Sequence, residues 1–313
     1  MTQSAITPVS FALKARDPSA FAHELGASFR RYGFAVVADH GLDPSVITRA
    51  HERAKAFFAL PDSVKQHYFI PGGGGQRGYT PFGREAAKGA EAIDLKEFWH
   101  VGRELPEGHA YAPFMPANVN PTEIAHWEDV YALFNALDAL GGDLLSAIAR
   151  DLGLEDGFFE DPVRDGNSIL RLLHYPPQTK PAPEGSIRAA AHEDINTITL
   201  LLGAEEAGLQ VKDRSGQWLD INPPEGCLVV NIGDMLQRLT NNVLPSTSHR
   251  VVNPSPERQR YARYSMPFFL HFRPDYLIET LESCVSPDNP DRYPEPITAQ
   301  DYLMQRLREI RLI

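Results

Sequence analysis

The sequence predicts a mixed α+β protein in which helices back a double-sheet β core, a jelly roll. Helix start signals recur in the first third of the chain, and one long helix with an apolar stripe is predicted in the middle. From Asn167 onwards, short β-rich runs alternate with turns, which is typical of a sandwich or barrel. We favour a jelly roll because it brings strands that are distant in sequence together over an open mouth.

Two helices and a strand are predicted in the first third. Asp17-Pro18 and Asp43-Pro44 are helix starts, since Asp accepts hydrogen bonds from the first turn and Pro suits the first helical position. Gly33 can end the first helix, and residues 34–38 follow as a buried strand. The glycine-rich segment 71–84 lacks the Lys-Ser/Thr of a phosphate loop, so we expect a mobile connection there and not a ligand cradle.

The remaining elements follow from periodicity and turn signals. Asn120-Pro121 is expected to begin the long helix, which continues to about Asp151 and packs against a sheet. A last helix is expected from Thr298 to about Ile310. The predicted strands between these helices are 168–175, 197–202, 209–212, 218–221, 228–231, 246–252 and 263–272.

Composition limits the class of protein. Lys and Arg number 30 against 41 Asp and Glu, and there is no basic run, so we expect no nucleic-acid partner. Cys227 and Cys284 are isolated and form neither a disulfide framework nor a CxxC zinc site. Because no apolar run reaches about 18 residues and residues 1–17 lack a signal-peptide core, we expect a cytoplasmic protein without a membrane partner.

A metal site is predicted from three residues in the β-rich part of the chain. Alternate residues of a strand share a side, so His192 and Asp194 can point to one position while Glu193 faces away, and His249 can supply a third ligand. Two His and one carboxylate leave the opposite positions of the metal open, as in non-haem Fe(II) oxygenases. Zn(II) accepts the same ligands, which keeps a zinc hydrolase as an alternative.

A carboxylate-binding pair is predicted close behind the metal site. Arg263 and Ser265 stand two residues apart on a predicted strand, so a guanidinium and a hydroxyl can bind one small acid. A zinc hydrolase would give this pair no role. We expect His174 to be structural. The other histidines are expected to lie at the surface or in packing positions: His23, His40, His51, His67, His100, His109, His126 and His271.

Motifs spread over most of the chain carry a resemblance to a known family. They are residues 32–41, 77–79, 94–97, 170–177, 191–201, 208–211, 230–234, 248–252 and 263–265. With these stretches the chain resembles the isopenicillin N synthase-like family of Fe(II)/2-oxoglutarate-dependent oxygenases. The resemblance implies a distorted double-stranded β-helix (jelly roll). It divides the chain into an N-terminal non-haem dioxygenase region (1–120), a long helix and connection (121–165), the core (166–275) and a C-terminal helical tail (276–313).

The resemblance also assigns roles to residues. It implies that His192, Asp194 and His249 bind Fe(II), and that Arg263 and Ser265 hold the distal carboxylate of 2-oxoglutarate. Tyr175 matches a tyrosine that assists there in many members, whereas Leu173 stands where many plant members have Asn. The implied reaction uses O2 to hydroxylate or desaturate a small organic substrate, with release of succinate and CO2.

Other activities on the same scaffold stay open at this point. An Fe(II) oxidase that does not use 2-oxoglutarate keeps the same triad, as isopenicillin N synthase does, and an ethylene-forming enzyme fragments 2-oxoglutarate itself. A non-catalytic binding protein is a further alternative.

The substrate pocket is predicted from the regions that build it in the family. Of its candidates, Arg84 would favour an anionic substrate, and Arg171 shares a strand face with Tyr175 but could equally form a structural salt bridge. The pocket candidates are Tyr79, Phe82, Arg84, Phe98, Arg171, Phe268 and Phe269. No oligomeric state is predicted.

Overall fold

A large β-sheet has helices on one face and a smaller sheet on the other. This arrangement is seen in a computed structural model that describes residues 6–84, 94–178, 186–202 and 208–309. The helices are α1 Leu13–Arg16, α2 Pro18–Tyr32, α3 Pro44–Phe58, α4 Asp62–Lys65, α5 Glu128–Asp151, α6 Glu160–Val163, α7 Asp234–Leu239 and α8 Ala299–Glu309. Short 3-10 turns span Gln66–Tyr68 and Glu282–Cys284.

The strands of the described residues fall into three sheets. They are β1 Pro8–Ser10, β2 Phe34–Ala38, β3 Gly78–Thr80, β4 Glu97–Gly102, β5 Ile169–Tyr175, β6 Ala189–His192, β7 Ile198–Leu202, β8 Leu209–Lys212, β9 Trp218–Asp220, β10 Leu228–Ile232, β11 His249–Val251, β12 Arg263–Ser265, β13 Pro267–Leu270, β14 Leu277–Ile278 and β15 Ile297–Thr298. The nine-stranded sheet has the order β1-β2-β10-β7-β13-β5-β4-β3, with β12 also paired to β5. The four-stranded sheet has the order β6-β11-β8-β9, and β14 pairs with β15.

Alternation along β2 shows how the layers pack. Ala35 and Val37 lie in the main core with helices α2, α3 and α5, whereas Phe34 and Val36 lie in a second core with strands of the smaller sheet. Successive side chains of a strand point to opposite faces, so one strand contributes to both cores. The mixed α+β class predicted from the sequence is confirmed by this arrangement.

The N-terminal elements form as their end signals predict. Asp17 accepts a hydrogen bond from the Ala20 amide at 2.9 Å and caps α2, and Asp43 accepts one from the Ser45 amide at 2.8 Å and caps α3. Gly33 ends α2 with φ of 70°, in the left-handed region that favours glycine.

The long helix starts later than the sequence predicts. Residues 121–127 form turns, and α5 begins at Glu128 and not at Pro121. His126 adopts φ of 60°, which an α-helix does not accommodate, so no helix can run through this position. Glu128 and Asp129 then occupy the first turn, where negative charge favours the positive end of the helix dipole.

Helix α5 is also the one helix of the described residues that is long and apolar enough to cross a membrane by length and composition. Its apolar residues pack into the main core, among them Leu137, Leu144 and Ile148, as in the core helix of a globular protein.

Two strand predictions differ from the structure. Residues 263–272 form two strands, β12 and β13, which are interrupted at Met266. Both strands pair with β5, and β13 pairs with β7 as well. Strand β6 ends at His192, so Asp194 lies in a loop and not on a strand. Strand alternation therefore does not explain how His192 and Asp194 come together.

Candidate metal and co-substrate site

The structure brings the three predicted metal ligands together. One ligand atom each from His192, Asp194 and His249 lies within 4.8 Å of the other two. Both His Nε2 atoms are 3.8 Å from Asp194 Oδ1. The two histidines face each other across the antiparallel pair β6 and β11, with ring centroids 4.4 Å apart.

The Nδ1 atom of each of these histidines is hydrogen-bonded to a backbone carbonyl oxygen. His192 Nδ1 lies 2.7 Å from the Ala190 carbonyl oxygen, and His249 Nδ1 lies 3.2 Å from that of Thr247. A carbonyl only accepts, so each Nδ1 carries the proton and donates it. Both Nε2 atoms therefore present a lone pair to the position beside Asp194, which is the usual arrangement of metal-binding histidines.

Asp194 is oriented by two side chains from the larger sheet. Its Oδ2 accepts hydrogen bonds from Thr199 Oγ1 at 2.6 Å and from Asn231 Nδ2 at 2.8 Å, which leaves Oδ1 facing the histidines. The loop that carries Asp194 is held by the start of α7, where the Asp234 amide donates to the Asp194 carbonyl at 2.8 Å. This backbone contact and the two side-chain hydrogen bonds, and not strand alternation, position the carboxylate.

The charges of the site suit a divalent cation. Burial would raise the pKa of Asp194, but His249, His192 and the hydrogen bonds from Thr199 and Asn231 lower it below its usual value. Burial and the nearby His249 lower the pKa of His192 to about 4. The site therefore offers an ionised carboxylate and neutral imidazole at neutral pH, the forms that bind metals.

The predicted carboxylate-binding residues lie on neighbouring strands of the large sheet. Arg263 pairs with Tyr175, and Ser265 pairs with Leu173, between β12 and β5. The Arg263 guanidinium lies 5.0 Å from the Tyr175 ring centroid, and Arg263, Ser265 and Tyr175 are all buried. Burial lowers the pKa of Arg263, but a guanidinium starts from so high a value that it stays charged at neutral pH.

A cavity of about 360 Å³ opens beside the triad. Its volume is in the range of small-molecule sites. Residues from the glycine-rich segment, strands β4 and β5, the Asp194 loop and helix α8 form its wall. They include Gly74, Gly75, Gln76, Asp94, Lys96, His100, Asn167, Ile169, Arg171, His192, Glu193, Asp194, Asn196, Phe269, His271, Leu303, Arg306 and Leu307. The glycine-rich segment, expected to be only a connection, thus contributes to the cavity.

Two of the predicted pocket residues line this cavity, namely Arg171 and Phe269. The Arg171 guanidinium contacts two rings, at 4.3 Å from the Phe98 centroid and 5.3 Å from that of Phe269. Its Nε donates to His100 Nε2 at 2.6 Å, and His100 Nδ1 lies 2.5 Å from the Gly75 carbonyl. Arg171 is thus held by two ring contacts and a hydrogen bond, and Phe98 is one of the residues that contact it.

The other predicted pocket residues lie elsewhere. Phe268 packs in the main core with a ring centroid distance of 5.1 Å to Phe134, Phe82 is 46% exposed, and the Arg84 guanidinium lies over the Phe69 ring. Tyr79 is buried and donates to Glu97.

Glu97 is the centre of a buried charged network that explains the position of Tyr79. Lys65 Nζ lies 2.9 Å from one carboxylate oxygen, and His174 Nδ1 lies 2.7 Å from the other. Burial would raise the pKa of Glu97, but hydrogen bonds from His174, Lys65 and Tyr79 lower it. The expected structural role of His174 agrees with this contact.

Two histidines of the cavity wall were expected at the surface or in packing positions. His100 and His271 are both buried and line the cavity. Burial lowers the pKa of His271 to about 4, so it is neutral at pH 7. His100 lies directly opposite Arg171 in the pairing of β4 with β5. Only the register of that pairing, which no local motif encodes, identifies it.

The site and its sheets define an oxygenase of the non-haem iron type, and comparison with known proteins agrees. Residues 166–272 match the 2OG-Fe(II) oxygenase superfamily, and residues 6–123 match the family described as non-haem dioxygenase in morphine synthesis N-terminal. The chain belongs to the 2OG-Fe(II) oxygenase superfamily. It is a 2-oxoglutarate-dependent non-haem iron dioxygenase whose cofactors are Fe(II), 2-oxoglutarate and O2.

Individual relatives cover nearly the whole chain. It is 34% identical over 282 residues to the 2-oxoglutarate-Fe(II) type oxidoreductase hxnY of Emericella nidulans, covering 86% of this chain and 78% of that protein. A crystal structure of a 2OG-Fe(II) oxygenase family protein from Caulobacter crescentus is 63% identical, with a TM-score of 0.92, and covers 98% of this chain and all of that one. Neurospora crassa T7H in complex with alpha-KG and thymine is 30% identical, with a TM-score of 0.84, and covers 97% of this chain and 96% of that one.

Proposed function

We propose that His192, Asp194 and His249 bind the Fe(II) of this oxygenase. The observation that carries the proposal is that three donor atoms lie within 4.8 Å of one another, each oriented through the other polar atom of its side chain. Two imidazoles and one carboxylate are the ligand set of non-haem Fe(II) oxygenases. When bound, the iron supplies activation of O2 for oxidation of the substrate, coupled to conversion of 2-oxoglutarate to succinate and CO2.

In the same proposal, Arg263 and Ser265 hold the distal carboxylate of 2-oxoglutarate, and Tyr175 assists. A guanidinium and a hydroxyl at this spacing offer several donors to one carboxylate, and their burial excludes competing water. The role of the chain is then to fix the co-substrate beside the triad before the substrate is oxidised.

We further propose that the two facing sheets form a distorted double-stranded β-helix, with residues 166–275 as its core. The division into 1–120, 121–165 and 276–313 around this core belongs to the same proposal. It is supported by two observations: strands β6 and β11 of the smaller sheet and β7 and β10 of the larger sheet meet at the triad, and the chain is similar to solved 2OG-Fe(II) oxygenase structures. A cytoplasmic location without nucleic-acid or membrane partners stays a prediction.

For the substrate we propose a small planar molecule with a carbonyl or carboxylate oxygen. The cavity has a volume of about 360 Å³ and places the Arg171 cation and the Phe269 ring on its wall. Arg171 can bind such an oxygen, and the ring can pack on a planar face. Pyrimidine bases are the first compounds to test, because Neurospora crassa T7H has been crystallised with alpha-KG and thymine.

Spectroscopy tests the metal assignment directly. Anaerobic addition of Fe(II) and 2-oxoglutarate should produce a weak visible charge-transfer band in the wild-type protein. Asp194→Ala should abolish the band because a metal ligand is lost, whereas Glu225→Ala, which removes an exposed turn carboxylate, should leave it unchanged. An unchanged band in folded Asp194→Ala protein would contradict the assignment.

Turnover tests the substrate class. Succinate release and O2 uptake should be measured together over pyrimidine bases, aromatic acids and amino acids, and the products identified by mass spectrometry. Planar carbonyl compounds should stimulate succinate release above the level without substrate. If only flexible, non-planar compounds do so, the proposed substrate class is wrong.

A further inference from the structure

A buried arginine lies beside the proposed co-substrate site. Arg188 is 1% exposed, and its Nε, Nη1 and Nη2 atoms have no hydrogen-bond partner among the described residues. A buried charge without a partner costs folding free energy, so it is seldom retained for stability. Three nitrogen atoms, with five N–H donors, on one buried guanidinium therefore indicate a ligand with acceptor oxygens.

The position of Arg188 indicates which ligand this is. Its guanidinium lies 5.8 Å from the ring centroid of Tyr175, and that of Arg263 lies 5.0 Å from the same centroid. Two guanidinium groups thus lie around one ring that belongs to the proposed co-substrate site. Burial and the charge of Arg263 lower the pKa of Arg188 to about 10, so Arg188 is still a cation at neutral pH.

A hydroxyl accompanies this second cation. Ser186, two residues before Arg188, is 5% exposed, and its Oγ also has no hydrogen-bond partner among the described residues. The spacing mirrors that of Arg263 and Ser265 on β12. The chain thus presents two arginine and serine pairs from separate segments, one leading into β6 and the other on β12.

We propose that Arg188 is a second guanidinium ligand of the distal carboxylate of 2-oxoglutarate, acting with Arg263. The inference rests on the proposed co-substrate site. A carboxylate has two oxygens with about four lone-pair positions, enough to accept from two guanidinium groups and a hydroxyl. Arg188 then contributes to the selection of a dicarboxylic 2-oxo acid over a monocarboxylic one.

Selectivity between two 2-oxo acids tests the proposal. The dissociation constants of 2-oxoglutarate and 2-oxovalerate, which lacks the distal carboxylate, are measured anaerobically with Fe(II) from the charge-transfer band. Arg188→Leu should weaken 2-oxoglutarate binding on the order of 10- to 100-fold, the value of a hydrogen bond to a charged group. Binding of 2-oxovalerate should be unchanged, and Arg188→Lys should recover part of the affinity for 2-oxoglutarate.

Thermal unfolding supplies a second readout. Without 2-oxoglutarate, Arg188→Leu should unfold at a higher temperature than the wild type, since an unpaired buried charge is removed. The increase in unfolding temperature on adding 2-oxoglutarate should be smaller in the variant. Equal 2-oxoglutarate affinity in both proteins, an equal loss for both 2-oxo acids, or failure of the variant to fold would each overturn the proposal.

Arg263→Leu separates this inference from the function on which it rests. If it leaves 2-oxoglutarate binding unchanged, the proposed co-substrate site is wrong. If it weakens binding and Arg188→Leu does not, only the role of Arg188 fails.

Discussion

The hydroxyl of Thr199 should contribute strongly to iron binding although it does not contact the metal position. It donates to Asp194 Oδ2 at 2.6 Å and, with Asn231, holds the carboxylate so that Oδ1 faces the histidines. Thr199→Val removes the donor and keeps the shape of the side chain. A hydrogen bond to a charged group contributes about 1.5–3 kcal/mol, so the Fe(II) dissociation constant should rise roughly 10- to 100-fold. That agrees with the ~10- to 100-fold losses typical of such supporting residues.

The chain offers a matched control two residues away. Thr197 is as buried as Thr199, but its hydroxyl has no hydrogen-bond partner among the described residues. Thr197→Val should therefore leave the affinity for iron unchanged. Anaerobic calorimetric titration of the metal-free proteins with Fe(II) measures both variants. Equal iron affinity in Thr199→Val and the wild type, with both proteins folded, would refute the reasoning.

Other parts of the structure lead to three further predictions. A Cβ at Gly141 would lie 2.4 Å from Leu270 Cδ1, whereas one at Gly142 meets nothing within 4 Å. In chemical denaturation, Gly141→Ala should cost about 1–3 kcal/mol, and Gly142→Ala should stabilise by roughly 0.5–1 kcal/mol. The pKa of Glu97 is lowered in the fold, so its contribution to stability is present above the unfolded pKa of about 4.5 and is lost as pH falls through the folded value. The acid decline of the unfolding temperature should be shallower in Glu97→Gln, and an identical decline would contradict the role of the carboxylate. Arg171→Leu should raise the KM of the substrate on the order of 10- to 100-fold and leave the Fe(II)–2-oxoglutarate band unchanged, and an unchanged KM would exclude Arg171 from substrate binding.

Local signals predict the first part of the fold well. Asp17, Asp43 and Gly33 act within one turn of their own positions, so their effect does not depend on the remainder of the chain. The start of α5 is a counterexample. Pro121 is a suitable start signal, but the backbone at His126 adopts a left-handed conformation that places the first helical turn at Glu128.

The three predicted metal ligands lie close together, but the contacts that position Asp194 differ from those that the sequence suggests. His-x-Asp spacing would place His192 and Asp194 on one strand face, whereas Asp194 lies beyond the end of β6. Its carboxylate is oriented by Thr199 and Asn231, and its loop is held by an amide of α7. The residue types and spacing predict the chemistry, but contacts from other strands produce the geometry.

The kinds of side chain and their spacing along the chain predict a metal site and a carboxylate-binding pair, since metal ligands and carboxylate donors are limited by their own chemistry. The resemblance of longer stretches of sequence to a known family adds the reaction class. Tertiary structure decided most of the cavity wall, because only Arg171 and Phe269 of the predicted pocket residues line it. His100 contacts Arg171 because the register of β4 with β5 pairs them. Tyr79 does not line the cavity, and its hydroxyl donates to the buried carboxylate of Glu97. Both outcomes depend on pairing and charge burial between segments far apart in sequence, and these terms have no local signature.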